Sequence, residues 1–257
     1  MKIEEHKKQF GGNAEDYTKY RKPYDSRLFE YLFSLVPTGH KKILDIACGT
    51  GKCTEDLVQV DNEVFGCDHD ELMITEAKKQ AEIKNLNIKY EIADVEKLPY
   101  PDNAFDIVTV GTAFHWFVNK QSIDEIKRVL KPRGTLFVFW TLTVKDVPDE
   151  DSIPWDFLSK YNWEKVPNEL RDLEYISEFF MDHELEGADT HRIPTVVKYN
   201  VEEYVGLMKT ASAFGKLSGT EKDSFATELT KIMTSKLGDR QEFVLEEELQ
   251  ICYGFKK

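Results

Sequence analysis

The stretch Lys42-Ile43-Leu44-Asp45-Ile46-Ala47-Cys48-Gly49-Thr50-Gly51-Lys52 decides how the rest of the chain is read. A short β-type run ends in small residues, and the polar segment from Lys52 to Val58 then reads as the opening of a helix. Gly49 and Gly51 can take positive φ and let backbone amides come close to a ligand. Strand, tight turn and helix start together make a nucleotide-type cradle. Spacing excludes two related motifs. A phosphate-gripping loop has four residues between its glycines and then Gly-Lys-Ser/Thr, whereas here Thr50 alone separates the glycines and Cys53 follows Lys52. The dinucleotide fingerprint asks for a third glycine at the position held by Thr54. What remains is a turn that approaches a ligand without pyrophosphate chemistry. A Gly-rich first turn that meets no ligand stays open at this point.

Outward from this stretch the rhythm of the chain changes. Residues 1–23 are polar, punctuated by aromatic side chains and interrupted by Gly11-Gly12, so they read as an irregular arm with one short helix around 14–20. Leu28, Leu32, Leu35 and Val36 recur at i, i+4, i+7 and i+8, an apolar helix stripe that stops before Pro37 and Gly39. From Lys42 onward short apolar runs alternate with helical stretches, the pattern of parallel strands joined by right-handed crossovers. Strands are expected over 42–47, 63–67, 88–92, 105–110 and 135–140. Met73, Ala77 and Ala81 mark one helix face between them, and Ile123, Ile126, Val129 and Leu130 mark another. Pro132 and Gly134 end the latter and turn the chain into the fifth strand.

After Trp140 the alternation stops. Residues 146–189 are acidic and aromatic, with Trp155, Phe157, Tyr161, Trp163, Phe179 and Phe180, and read as an inserted, mostly helical cap. Packing against the core and closing over a substrate are both open to it. A strand is expected over 193–199, followed by helices with Tyr204, Leu207, Met208 and Ala211, then Phe225, Leu229, Ile232, Met233 and Leu237, on their apolar faces. Thr220 with Asp223 is the expected cap of the second of these, and a last strand is expected over 243–253. The expected organisation is an arm and helix over 1–40, a binding core over 41–140, a cap over 141–190 and a completion of the sheet over 191–257.

Composition limits the function classes. The 257 residues suffice for one large α/β domain with a lid, and a hydrophobic content of 41% is that of a globular protein. A net charge of -13 works against a polyanionic partner, so neither DNA nor RNA is expected. No apolar run reaches the length of a membrane span, and Met1 to Lys8 is charged with no apolar segment behind it. A soluble, cytoplasmic monomer or homodimer is therefore expected. Cys48, Cys53, Cys67 and Cys252 form no Cys-x-x-Cys spacing, so they read as small buried residues, with no metal site and no disulfide framework.

Two acids stand where a ligand would meet them. Asp68 ends the second strand, and in a doubly wound sheet that position lies beside the first turn at the carboxyl edge, where a carboxylate can accept two ribose hydroxyls. The plainer reading of Asp68-His69-Asp70 is a helix cap, a task that suits Asp70. Asp94 follows the third strand at the same edge, where its carboxylate can accept an adenine amino group and the Val95 amide can donate to the ring. A turn-forming aspartate is the alternative there.

Taken in order, these segments resemble the successive motifs of the class I S-adenosylmethionine-dependent methyltransferases. The resemblance rests on Asp45-Ile46-Ala47-Cys48-Gly49-Thr50-Gly51, Gly66-Cys67-Asp68 with Leu72-Met73, Ala93-Asp94-Val95-Glu96-Lys97-Leu98-Pro99, Phe105-Asp106-Ile107-Val108 and Arg128-Val129-Leu130-Lys131-Pro132-Arg133-Gly134. It covers the chain from Phe10 to Trp140. Phe10, Tyr17, Arg21 and Tyr24, with His115-Trp116-Phe117, are similar to the small-molecule branch that includes trans-aconitate methyltransferase.

The resemblance implies a doubly wound, Rossmann-like seven-stranded α/β sheet with the last strand antiparallel, plus an N-terminal arm and a helical cap. It further implies S-adenosylmethionine as cofactor, held by Tyr17, Arg21, Asp45, Ala47, Gly49, Gly51, Asp68, His69, Asp94, Val95 and Gly111. Two departures stand out. Ala47 occupies the family's usual first glycine, and Arg21 sits in Arg-Lys-Pro-Tyr-Asp where relatives show Arg-Pro-x-Tyr-Pro. His115 and Trp116 fall where the family brings sulfonium and acceptor together. His115 there can be a general base, can orient an acceptor oxygen, or can be a structural partner of Trp116 under the cap. The expected activity is methyl transfer to a small molecule, a carboxylate or another oxygen nucleophile. A non-catalytic adenosyl-binding subunit that regulates a partner through its cap is the alternative.

Overall fold

The computed structural model describes residues 13–58, 62–143, 153–163 and 172–257. Phe10 and Gly11-Gly12 of the expected arm, and positions 144–152 and 164–171 of the expected cap, lie outside the described residues. Two helices, α1 (Ala14–Tyr20) and α2 (Ser26–Ser34), precede β1 (Lys42–Ile46), α3 (Lys52–Asp56), β2 (Glu63–Asp68), α4 (Glu71–Ile83), β3 (Ile88–Ile92) and β4 (Phe105–Gly111). A 3-10 turn (Phe114–Trp116) and α5 (Lys120–Val129) lead into β5 (Leu130–Thr143). The remaining elements are α6 (Trp155–Lys160), α7 (Leu173–Asp182), β6 (Leu185–Tyr199), α8 (Val201–Lys209), α9 (Ser212–Gly215), α10 (Gly219–Leu237) and β7 (Phe243–Lys256).

The seven strands form one mixed, Rossmann-like sheet in the order β3-β2-β1-β4-β5-β7-β6, with the last strands antiparallel. β1 pairs in parallel with β2 on one side and β4 on the other, so Asp45 lies level with both Gly66 and Thr109. The chain leaves β1 toward β3 and returns to β4, which makes the carboxyl ends of β1 and β4 the switch point where open α/β sheets bind ligands. Ile43, Leu44 and Ile46 are all buried, the continuous apolar run of a parallel strand covered on both faces. Leu28, Phe29 and Leu32 of α2 pack with Ile43, Val64, Ile107 and Phe137, while Ile74, Ala77 and Ala81 of α4 pack with Cys48 and Tyr90.

Three local expectations need correction. β5 begins at Leu130, because Pro132 and Gly134 sit in a bulge inside the strand: the register passes from Phe105 opposite Leu130 to Ile107 opposite Thr135. Arg133 takes φ 62° there, and Lys131 Nζ donates to Asp106 Oδ2 at 2.8 Å. β6 starts at Leu185, ahead of the expected Ile193, since its early residues alternate too few apolar side chains to be recognised. The cap of α10 is Ser218 with Glu221, each side chain bonding the other's backbone amide, and Thr220 and Asp223 fall inside the helix.

The chain divides into two compact units. One takes 23–141, 167–193 and 249–257, and the other takes 1–22, 142–166 and 194–248. The aromatic cap segment is shared between them: Phe157, Tyr161 and Trp163 surround Phe225 in the helical unit, whereas Phe179 and Phe180 of α7 pack on Phe114 in the sheet unit. Aromatic density in the sequence marks residues that need a core without saying which core. No helix among the described residues is long and apolar enough to cross a membrane.

Candidate active site

The first turn is built from three left-handed residues: Ala47 at φ 54°, Gly49 at φ 55° and Gly51 at φ 86°. Cys48 N donates to Cys67 O at 3.0 Å, Gly51 N to Cys48 O at 2.9 Å and Glu55 N to Gly51 O at 2.9 Å, so the turn is tied to β2 and runs directly into α3. Gly49 is needed for its backbone angle, because nothing lies within 4 Å of where its Cβ would stand. Gly51 is needed for its angle and for space, a Cβ there being 2.3 Å from the hydroxyl oxygen of Tyr90. Ala47, the departure noted in the sequence, holds a β-carbon in a conformation that disfavours one.

Asp45 braces this turn from below. It is 1% exposed, its Oδ1 accepts from Thr109 Oγ1 at 2.8 Å and its Oδ2 from Thr54 Oγ1 at 2.6 Å. Burial, against those two hydroxyls, pushes its carboxyl up to about 6. With both oxygens engaged inside the protein, Asp45 links α3 to β4 and positions the turn. Thr54 and Thr109 were not singled out in the sequence. The signal was there, since Asp45 and Thr109 are polar residues in the middle of apolar strand runs, and a buried polar group needs a partner.

Asp68 closes β2 beside the turn. Its Oδ2 accepts from Gly49 N at 2.9 Å and its Oδ1 from Asp70 N at 2.9 Å, with His69 Nδ1 at 3.3 Å from the same Oδ1. Asp70 is the N-cap of α4, accepting from Leu72 N at 2.9 Å and Met73 N at 3.4 Å, so the two acids divide the work between turn and helix. Asp94 follows β3; its Oδ1 accepts from Glu96 N at 3.1 Å and its carbonyl from Lys97 N at 3.0 Å, and Val95 beside it is half-buried. Asp94 thus does form a turn, at the carboxyl edge next to Asp68.

At the end of β4 the backbone is again constrained. A Cβ on Gly111 would stand 2.7 Å from Phe139 Cζ, and Thr112 takes φ 57°, an unusual angle for a β-branched residue. The hydroxyls of Tyr24 and Thr112 are 3.4 Å apart, and the Tyr24 ring meets Phe139 edge-on at 5.0 Å. His115 is buried in the 3-10 turn, Trp140 Nε1 donates to its Nδ1 at 3.2 Å, and Trp116 packs on its ring at 4.7 Å. Tyr24, Thr112 and Trp140 were not among the residues assigned a role from the sequence. A tryptophan in an otherwise aliphatic and phenylalanine strand is the signal for Trp140, because its N–H requires an acceptor when buried.

Tyr17 and Arg21 belong to the helical unit. The Arg21 guanidinium lies 5.0 Å over the Tyr17 ring and its Nε donates to Thr210 Oγ1 at 2.9 Å. Burial raises the carboxyl of Glu247 in the same unit, with Arg21 as the charge that opposes the rise. α1 is tied to α8 by Asn13 Nδ2 to Lys209 O at 3.0 Å and by an Asp16–Lys209 ion pair at 3.0 Å. The four cysteines are buried thiols, and burial raises the pKa of each.

The carboxyl ends of β1 to β4 fit an adenosyl ligand: the turn has no side chain at Gly49 or Gly51, Asp68 lies beside it, and Thr50 Oγ1 is buried without a hydrogen-bond partner among the described residues. Residues 44–138 match the family model described as a methyltransferase domain. An uncharacterised methyltransferase of Schizosaccharomyces pombe is 28% identical over 229 residues, covering 87% of this chain and 86% of that protein. Among solved structures, an Anaeromyxobacter dehalogenans protein assigned as a type II methyltransferase is similar in fold, with a TM-score of 0.67 at 17% identity over 93% of this chain and 98% of that one. Phosphoethanolamine N-methyltransferase 2 of Haemonchus contortus, solved with S-adenosyl-L-methionine, has a TM-score of 0.59 at 14% identity, over 100% of this chain and 60% of that one.

Proposed function

We propose that the chain is a class I S-adenosylmethionine-dependent methyltransferase and that it methylates a small molecule at a carboxylate or another oxygen nucleophile. The observation that supports this reading is the set of groups at the carboxyl ends of four adjacent parallel strands: the left-handed turn after β1, Asp68 after β2, Asp94 after β3 and His115 after β4.

In this reading Asp68 takes the ribose hydroxyls, and His69, Asp94 and Val95 frame the adenine. Gly49, Gly51, the Thr50 hydroxyl and Gly111 border the methionine part. When bound, the cofactor supplies a methyl group on a sulfonium: the acceptor lone pair forms the new bond to carbon, and the carbon–sulfur pair stays on sulfur as a neutral thioether. The protein's own share is alignment and exclusion of water, with His115 and Trp116 beside the acceptor. The net charge of -13 disfavours a nucleic-acid acceptor and supports a small one.

The test is transfer from methyl-labelled S-adenosylmethionine to a panel of small carboxylic acids, phenols and amines. Label in ester products supports the reading, and label confined to amines or to protein overturns it.

A further inference from the structure

We propose that Trp140 fixes His115 as a hydrogen-bond donor, so that His115 positions an acceptor oxygen through its Nε2–H and takes no proton from it. The indole Nε1–H can only donate, and it points at Nδ1 of His115 from 3.2 Å. Nδ1 therefore presents its lone pair, and the single proton of the neutral imidazole resides on Nε2. Trp140 is 0% exposed and His115 6%, so water does not compete for this contact.

The ring cannot readily turn to another arrangement. Trp116 packs on it at 4.7 Å, the 3-10 turn is held by Trp116 N to Ala113 O at 2.9 Å and Phe117 N to Phe114 O at 3.0 Å, and Phe114 is wedged against Phe180 at 5.6 Å. A general base must offer a lone pair. That of Nδ1 is taken by Trp140, and Nε2 already carries hydrogen. A doubly protonated ring would set its Nδ1–H against the indole N–H, two donors facing each other in a buried place.

The substrate class follows from the tautomer. An acceptor that needs no base at neutral pH already has its lone pair free, which favours a carboxylate, with a reference pKa of about 4, over a phenol at about 10. A carboxylate oxygen is also what an imidazole N–H binds best. This step to the substrate rests on the methyl-transfer reading of the site, whereas the tautomer and the role of Trp140 do not.

The tautomer is read from long-range proton–nitrogen spectra of the labelled full chain near neutral pH, with His115→Gln identifying the His115 signals. Expected are Nδ1 at the position of an unprotonated nitrogen and Nε2 at that of a protonated one, with the preference lost in Trp140→Phe. A protonated Nδ1 in the wild type overturns the proposal, and since that measurement needs no variant of Trp140, poor folding of Trp140→Phe leaves it decisive. The donor role is read from rates with short mono- and dicarboxylic acids as acceptors. His115→Gln keeps an N–H but is no base and stays within about tenfold of wild type, while His115→Leu loses about 100-fold or more. Equal losses in the two variants, or preferred turnover of phenols, overturn it. If none of the acids, phenols or amines is methylated, the functional reading fails while the spectra still decide the tautomer.

Discussion

Tyr90 occupies the space that a side chain on Gly51 would need: its hydroxyl oxygen is 2.3 Å, and its Cζ 3.1 Å, from the position of a Cβ there. The same ring stands 2.6 Å from the Cβ position of Gly66. One tyrosine on β3 thus demands a glycine both at the start of α3 and within β2, and packs β3 against both β2 and the turn.

Gly51→Ala therefore combines a left-handed backbone with a clash and should cost about 2–4 kcal/mol. Gly49→Ala meets the backbone cost alone, about 1–2 kcal/mol. Adding Tyr90→Phe to Gly51→Ala removes the nearest atom and should recover part of the loss. Urea unfolding of the four proteins measures this as a double-mutant cycle. Additive effects of Gly51→Ala and Tyr90→Phe would show that the tyrosine is not the obstacle.

Ala47→Gly is expected to stabilise the protein by about 0.5–1 kcal/mol, the relief of a left-handed alanine less the extra chain entropy of glycine. Ala47 has φ 54° in a turn whose other two left-handed residues are already glycine. A midpoint in urea that falls instead of rising would mean that the alanine methyl contributes packing that outweighs the strain.

The parts of this architecture that were legible in the sequence are those carried by local pattern. β3 and α1 fall where periodicity and breakers put them, and the turn, Asp68 and Asp94 are found at strand ends. What was not legible depends on which distant residues meet. Pro132 and Gly134 signal a break equally well as a loop or as a bulge, and only Asp106 on the neighbouring strand distinguishes the two. Phe157 and Phe180 look alike in sequence yet join different cores. The partners of Asp45, Thr54 and Thr109, were not legible because they come from two other elements.

The carboxyl of Asp45, raised to about 6 by burial, gives a pH dependence of definite sign. A group whose folded pKa lies above its unfolded value contributes stability that is fully present below about pH 4 and lost as pH rises through about 6. Above that, the buried charge costs on the order of 3 kcal/mol, about two units at 1.36 kcal/mol each. Asp45→Asn keeps an acceptor for one threonine hydroxyl, can donate to the other, and carries no charge. The stability of Asp45→Asn relative to wild type should therefore climb between about pH 4 and 6 and then level off. A flat difference across that range, measured by thermal melts, would mean that the wild-type carboxyl titrates normally.

Asp68 and Asp70 separate binding from folding at a distance of two residues. Asp70 caps α4 through Leu72 N and Met73 N, so Asp70→Ala should lower stability by about 1 kcal/mol and leave the affinity for S-adenosylhomocysteine nearly unchanged. Asp68 accepts from Gly49 N at Oδ2 and from Asp70 N at Oδ1, and Oδ2 has a second lone pair for a hydroxyl. Asp68→Asn keeps one accepting oxygen and replaces the other with a donor, which opposes Gly49 N and removes the charge a ribose would meet. The expected result is a loss of about 1–3 kcal/mol in binding, with a smaller loss in stability than in affinity. Calorimetry with S-adenosylhomocysteine and melts of the unliganded variants measure the two quantities separately. If Asp68→Asn melted early yet bound with wild-type affinity, the carboxylate would serve the turn alone, and the ribose would have to be assigned to another residue at this edge.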